Sequence, residues 1–158
     1  MKARFDPVAA APELMKAWIG AAPPIAASLE PALAELVEIR ASQINGCASC
    51  IHMHSQFARE NGETEQRIYL LPAWREAPCY TRRERAALAW TDALTLLSDA
   101  SARERAYEAL RPHFTGEEMV KLTLTIVVIN GWNRIAMGCG GFADPAAARA
   151  VATAVAGP

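Results

Sequence analysis

Leu122-Thr123-Leu124-Thr125-Ile126-Val127-Val128-Ile129 is the stretch on which the fold class turns. It is rich in β-branched residues and partly alternating, as a half-buried strand would be. Yet it continues without a breaker from Thr115-Gly116-Glu117-Glu118, a capping-box sequence that opens helices, as far as Trp132. No second strand exists elsewhere in the chain to pair with it. The segment is therefore read as helix, and the predicted architecture is all-α.

Working outward, the same capping language recurs at Thr81-Arg82-Arg83-Glu84 and at Ser101-Ala102-Arg103-Glu104. The first of these predicts a helix through Leu97, with Trp90, Leu94 and Leu97 on its buried face. Pro12-Glu13 opens an N-terminal helix with Leu14, Met15, Trp18 and Ile19 as its apolar stripe, and Pro23-Pro24 should kink or end it. Ser28 and Pro31 start the next helix, whose Leu33, Leu36, Val37, Ile39 and Ile44 follow helical spacing up to Asn45-Gly46, a left-handed stop. A third helix should occupy residues 46–61 and end at Asn61-Gly62. A shorter one spans about 64–71 before Pro72. The Ala-rich stretch 146–156 is a terminal helix or a frayed end. No repeat, low-complexity block or linker divides the chain, so 1–158 is read as a single helical domain.

The chain has 158 residues, 52% hydrophobic, with 16 Lys+Arg against 17 Asp+Glu. A chain of this length buries a core without a disulfide scaffold. The near-zero net charge supplies no field for phosphates, which argues against a nucleic-acid partner. The longest apolar run, around 125–129, falls far short of the ~20 residues that cross a bilayer, so no membrane partner is expected. Asp6, Pro7, Pro12 and Glu13 interrupt any signal-like apolar region after Lys2 and Arg4. A mature cytoplasmic protein is the expectation.

Of the four cysteines, Cys47-Ala48-Ser49-Cys50 has redox or metal spacing. Three apart at the start of a helix, the two lie about one turn from each other on one face, close enough to join. Cys47, in the first turn, gains from free backbone N–H groups and the helix dipole, which favour a thiolate. His54 follows Cys50 at i+4 on the same face and can take or give the Cys50 proton. A histidine base needs an orienting partner, and the preceding helix offers Glu35 and Glu38.

The run Glu35-Leu36-Val37-Glu38-Ile39-Arg40-Ala41-Ser42-Gln43-Ile44-Asn45-Gly46-Cys47-Ala48-Ser49-Cys50-Ile51-His52-Met53-His54 resembles the alkylhydroperoxidase D-like (AhpD-like) branch of the carboxymuconolactone decarboxylase family. The likeness extends through Gly62-Glu63-Thr64, Leu71-Pro72-Ala73-Trp74 and Glu84–Trp90, and returns at Ile129-Asn130-Gly131-Trp132-Asn133-Arg134. The resemblance implies an all-helical fold, a homo-oligomer (dimer, trimer or hexamer), and Glu35, Cys47, Cys50 and His54 as catalytic set. His54, linked to Glu35, would deprotonate Cys50, which attacks a hydroperoxide and becomes a sulfenic acid. Cys47 would resolve it, and an outside dithiol or disulfide-reductase donor would reopen the disulfide. Neither metal nor flavin is required. The sequence departs from the pattern between the cysteines, where Ala48-Ser49 leaves no histidine beside Cys50.

Plainer readings stand beside this one. Two buried structural thiols would explain the pair but not the carboxylate and imidazole at these spacings. Zinc on Cys47, Cys50, His52 and His54 is disfavoured, because Cys47 and His54 lie ~10 Å apart along one helix and no second CxxC or HxxxH supplies further ligands. Glu35 could instead pair with Arg40. Glu38 is read as structural, although able to share the relay, and His52 should point away from the redox face. Cys79 and Cys139 carry no motif. Three functions besides peroxidase fit: a thiol–disulfide oxidoreductase or adaptor, a carboxymuconolactone decarboxylase-like enzyme with incidental cysteines, and a helical oligomeric binding module.

Overall fold

A computed structural model describes residues 3–140 of the chain. The predicted stretch 146–156 lies outside them. Among the described residues there are eight α-helices and no strand: α1 (Pro7–Ala10), α2 (Pro12–Ala26), α3 (Pro31–Asn45), α4 (Ala48–Glu60), α5 (Glu65–Leu70), α6 (Arg82–Thr95), α7 (Ala100–Leu110) and α8 (Gly116–Cys139). A 3-10 turn, Leu71–Ala73, follows α5.

The β-branched stretch is helical throughout, inside α8. Packing overrides its local preference: Leu122, Thr125, Ile126, Val128 and Ile129 are all buried, on a helix that packs against α3, α6 and α2. The buried Thr125 hydroxyl is satisfied by donating to the Lys121 carbonyl one turn back, at 3.0 Å. Thr115 caps α8 with a complete capping box, and the helix runs past Trp132 to Gly140, whose φ of 96° closes it.

α3 is the hub. It packs on α4, α6 and α8, and its Leu36, Val37, Ile39 and Ala41 are fully covered. One side joins Leu33 and Val37 to Ala87, Leu110 and Ile126 from α6, α7 and α8. The other joins Leu36 and Ile39 to Ala58, Leu71 and Trp74. Asp92 of α6 fixes the hub from the side: Arg40 donates through Nε and Nη2 to its two carboxylate oxygens (2.7 and 3.2 Å), while Arg75 and the Trp74 indole reach the same group. Arg40 is thus committed to Asp92, not to Glu35.

Several boundaries differ from expectation. α2 passes through Pro23-Pro24 to Ala26, because both prolines sit in the final turn and deprive only the carbonyls of Ile19 and Gly20 of partners. α7 begins at Ala100, capped by Asp99, which accepts from the Ala102 N–H at 3.0 Å. An Asp two residues earlier outcompetes the Ser101 box. α6 stops at Thr95, leaving Leu97 mostly exposed and not on the buried face. No described helix is long and apolar enough to cross a membrane.

Candidate active site

The turn between α3 and α4 creates the site. Gly46 takes φ 74°, its N–H donates to the Gln43 carbonyl at 3.3 Å, and the Cys47 N–H donates to the Ser42 carbonyl at 3.0 Å. This double closure satisfies the last carbonyls of α3 and turns the chain back beside itself. Cys47, expected in the first turn of the next helix, is instead its N-cap, and α4 starts at Ala48.

Cys47 and Cys50 are joined in a disulfide, with Cα atoms 5.4 Å apart. Both are buried, Cys47 at 1% and Cys50 at 5% exposure, in a small cluster with Ala41, Ile129 and Ala136. The Ser49 hydroxyl lies 3.6 Å from Cys47 Sγ. With the sulfurs bonded to each other, neither is available as a thiolate ligand for zinc. Cys79 and Cys139 are free thiols, half-buried and buried respectively.

His54 is buried on α4, on the face it shares with Cys50. Its Nδ1 is 2.9 Å from Glu35 Oε2 and 3.3 Å from Glu38 Oε2. An ionised carboxylate only accepts, so Nδ1 carries the hydrogen toward Glu35, and in the neutral ring Nε2 keeps its lone pair. Glu35 and His54, the two residues predicted from α3 and α4 to cooperate with the cysteines, are therefore brought together, and Glu38 joins them. Its signal was in the numbering: Glu38 lies eight residues before Gly46 and His54 eight after it. Antiparallel helices rising 1.5 Å per residue bring such positions level, each roughly 12 Å from the turn.

Two carboxylates and one imidazole, all largely covered, perturb one another. Burial pushes Glu38 up to about 7, the Glu35 charge adding to this and His54 opposing it. For His54 burial works against the charged form, but the Glu38 charge and the hydrogen bond and charge of Glu35 outweigh it and raise its pKa. One carboxylate oxygen each of Glu35 and Glu38 and a ring nitrogen of His54 all lie within 4.8 Å of one another, a single compact cluster. His52 is exposed and points elsewhere, into an open cleft of about 540 Å³ with Ser55, Arg59, Glu65, Ile68 and Tyr69, which no member of the Glu35, Cys47, Cys50 and His54 set lines.

A polar network that sequence reasoning did not assign ties this turn to α8. Asn45 Nδ2 donates to Asn130 Oδ1 and Asn133 Oδ1 at 2.9 and 2.8 Å, and Asn133 Nδ2 donates to the Ser42 hydroxyl at 3.0 Å. Asn133 is fully buried. A fully covered asparagine in an apolar helix needs such partners, and the pair Asn130 and Asn133, one turn apart, was the available clue.

The carboxymuconolactone decarboxylase family model matches residues 12–93, and the chain belongs to that family. It is 47% identical over 106 residues to an uncharacterized protein of Bacillus subtilis, YdfG, covering 67% of this chain and 72% of that one. YnjA of Escherichia coli, also uncharacterized, is 27% identical over 105 residues, 65% of this chain and 56% of its own. Among solved structures, a protein of unknown function from Agrobacterium tumefaciens, provisionally named as the antioxidant defence protein AhpD, is 45% identical, with a TM-score of 0.83 over 87% of this chain and 95% of its own. The debrominase Bmp8 in complex with 2,3,4-tribromopyrrole shares the fold at 20% identity, with a TM-score of 0.77 over 94% of this chain and 79% of its own.

Proposed function

We propose that the protein is a thiol-dependent alkylhydroperoxidase-like antioxidant enzyme, with Cys50 as attacking thiol, Cys47 as resolving thiol, and His54 and Glu35 as proton relay. The observation that carries the reading is the bonded Cys47–Cys50 pair at the start of the helix that carries a buried histidine, whose Nδ1 is held by Glu35 at 2.9 Å. Family membership and the likeness to the Agrobacterium tumefaciens protein support it.

In the reduced protein, His54 Nε2 takes the Cys50 proton and the thiolate attacks the terminal oxygen of a hydroperoxide. The O–O bond breaks, and the leaving alkoxide receives the proton from His54 as alcohol. Cys50 is left as sulfenic acid. Cys47 attacks its sulfur, water leaves, and the disulfide forms. An outside dithiol donor, oxidised in exchange, restores both thiols. The enzyme works as a homo-oligomer of a single AhpD-like domain spanning 1–158, in the cytoplasm, with no cofactor.

The test is stopped-flow mixing of reduced protein with an organic hydroperoxide and a dithiol donor, followed by mass spectrometry of the Cys47–Cys50 peptide. Cys50→Ser and His54→Ala should each abolish peroxide reduction, and Cys47→Ser should accumulate a trappable sulfenic acid. Full turnover in both single cysteine variants would overturn the scheme. Reduction of an added disulfide such as oxidised glutathione at the expense of the dithiol, with no peroxide consumed, would assign the protein to thiol–disulfide exchange instead.

A further inference from the structure

Glu38 is the charged group of the cluster that this relay leaves unused. It stands one turn after Glu35 on α3, its side chain as covered as that of Glu35, and its Oε2 reaches the same imidazole nitrogen at 3.3 Å. A single N–H cannot serve two carboxylates at full strength, so the shorter contact to Glu35 orients the ring and the longer one to Glu38 acts chiefly through charge. The charged groups acting on Glu38 are His54 from α4 and Glu35 from its own helix. Arg40, two residues on, is turned to Asp92 and does not neutralise it.

We propose that Glu38 is a positioning residue, a second carboxylate that strengthens His54 as a base and so draws the proton from the Cys50 thiol. The inference rests on the reading of Cys50 as the attacking sulfur. An anion beside the imidazole stabilises imidazolium, and every gain in imidazolium stability favours the thiolate–imidazolium pair over thiol and neutral ring. Proton and charge balance within the pair: the hydrogen leaves Sγ for Nε2, and Glu38 itself neither gains nor loses one. The effect is graded by pH, because the Glu38 carboxyl ionises near neutrality. Below that range the second anion is lost and His54 reverts to the support of Glu35 alone.

Two readouts that need no peroxide test this. In the oxidised full-length protein the paired sulfurs do not titrate, so NMR titration of the His54 ring reports its carboxylate neighbours directly. The midpoint should fall in Glu38→Gln and return toward the parent in Glu38→Asp. In reduced Cys47→Ser protein, the pH midpoint for alkylation of Cys50 should rise when Glu38→Gln is added. Opposite shifts at the two groups, reversed toward the parent in Glu38→Asp, are the signature, since a general loosening of the fold would not be repaired by restoring a carboxylate on a shorter side chain. An unchanged His54 midpoint, or an unchanged Cys50 midpoint, overturns the inference. Absence of peroxide turnover in the parent would refute the peroxidase reading alone, leaving both midpoints to decide the role of Glu38.

Discussion

The indole of Trp18 lies on Gly131: a Cβ built on that glycine would come within 2.6 Å of both Cζ2 and Cη2 of the tryptophan. Trp18 also packs against Trp132, ring centroids 5.7 Å apart. Through this contact α2 is seated on α8. Gly131→Ala should push the rigid ring away and cost about 1–3 kcal/mol, as overpacking does. A lower melting temperature and altered tryptophan emission are expected, with the His54 titration unmoved. Unchanged stability would mean that the seat of α2 is not this contact.

Asp92 gathers Arg40, Arg75 and the Trp74 indole around one largely buried carboxylate. Asp92→Ala leaves the covered Arg40 guanidinium without its partner, and the expected loss is roughly 3–5 kcal/mol. Urea unfolding measures it. A loss below about 1 kcal/mol would class the group with ordinary surface pairs.

Asn133→Ala removes an acceptor from Asn45 and a donor from the fully buried Ser42. The expected cost is about 1–3 kcal/mol for the stranded groups. The turn carrying Cys47 should loosen with it, because the Cys47 N–H hangs on the Ser42 carbonyl. Faster reduction of the disulfide by dithiothreitol, at unchanged pH, is the functional readout. An equal rate in variant and parent would uncouple the network from the sulfurs.

Glu38 and His54 both hold protons more tightly in the fold than their ordinary values of 4.5 and 6.5. Between about pH 4.5 and neutrality the native state therefore binds more protons than the unfolded chain, and stability declines as pH rises. Each contribution is complete below the ordinary value of its group and is lost as pH passes its folded value, near 7 for Glu38. The melting temperature of the oxidised protein should fall between about pH 5 and about pH 8. The slope should be shallower in Glu38→Gln. Identical slopes would show that Glu38 contributes nothing to that decline.

Caps and periodicity made most of the fold readable. Thr81 and Thr115 open their helices as complete boxes, and Asn45-Gly46 stops α3 as its residue types require. Errors arose where two local signals competed, as at Asp99 against Ser101; at Pro23-Pro24 the helix runs on only to Ala26, two residues past the breaker. In the site, Cys50 and His54 share α4 at i, i+4 spacing and Cys47 caps that helix, so local spacing was enough to expect the three near one another. Glu35 and Glu38 come from another helix, and choosing between them required the antiparallel register that the Gly46 turn imposes. The structure keeps both. The asparagine network went unassigned because its one local clue, the one-turn spacing of Asn130 and Asn133, does not by itself distinguish an asparagine that spans helices from one that faces water.

The sulfurs of Cys47 and Cys50 lie almost wholly beneath the surface, and that depth sorts visitors by bulk. A small oxidant can slip in where a folded protein cannot follow. On the proposed cycle, then, a macromolecular donor would ask a wider breathing of the α3–α4 corner than the admission of a small oxidant does.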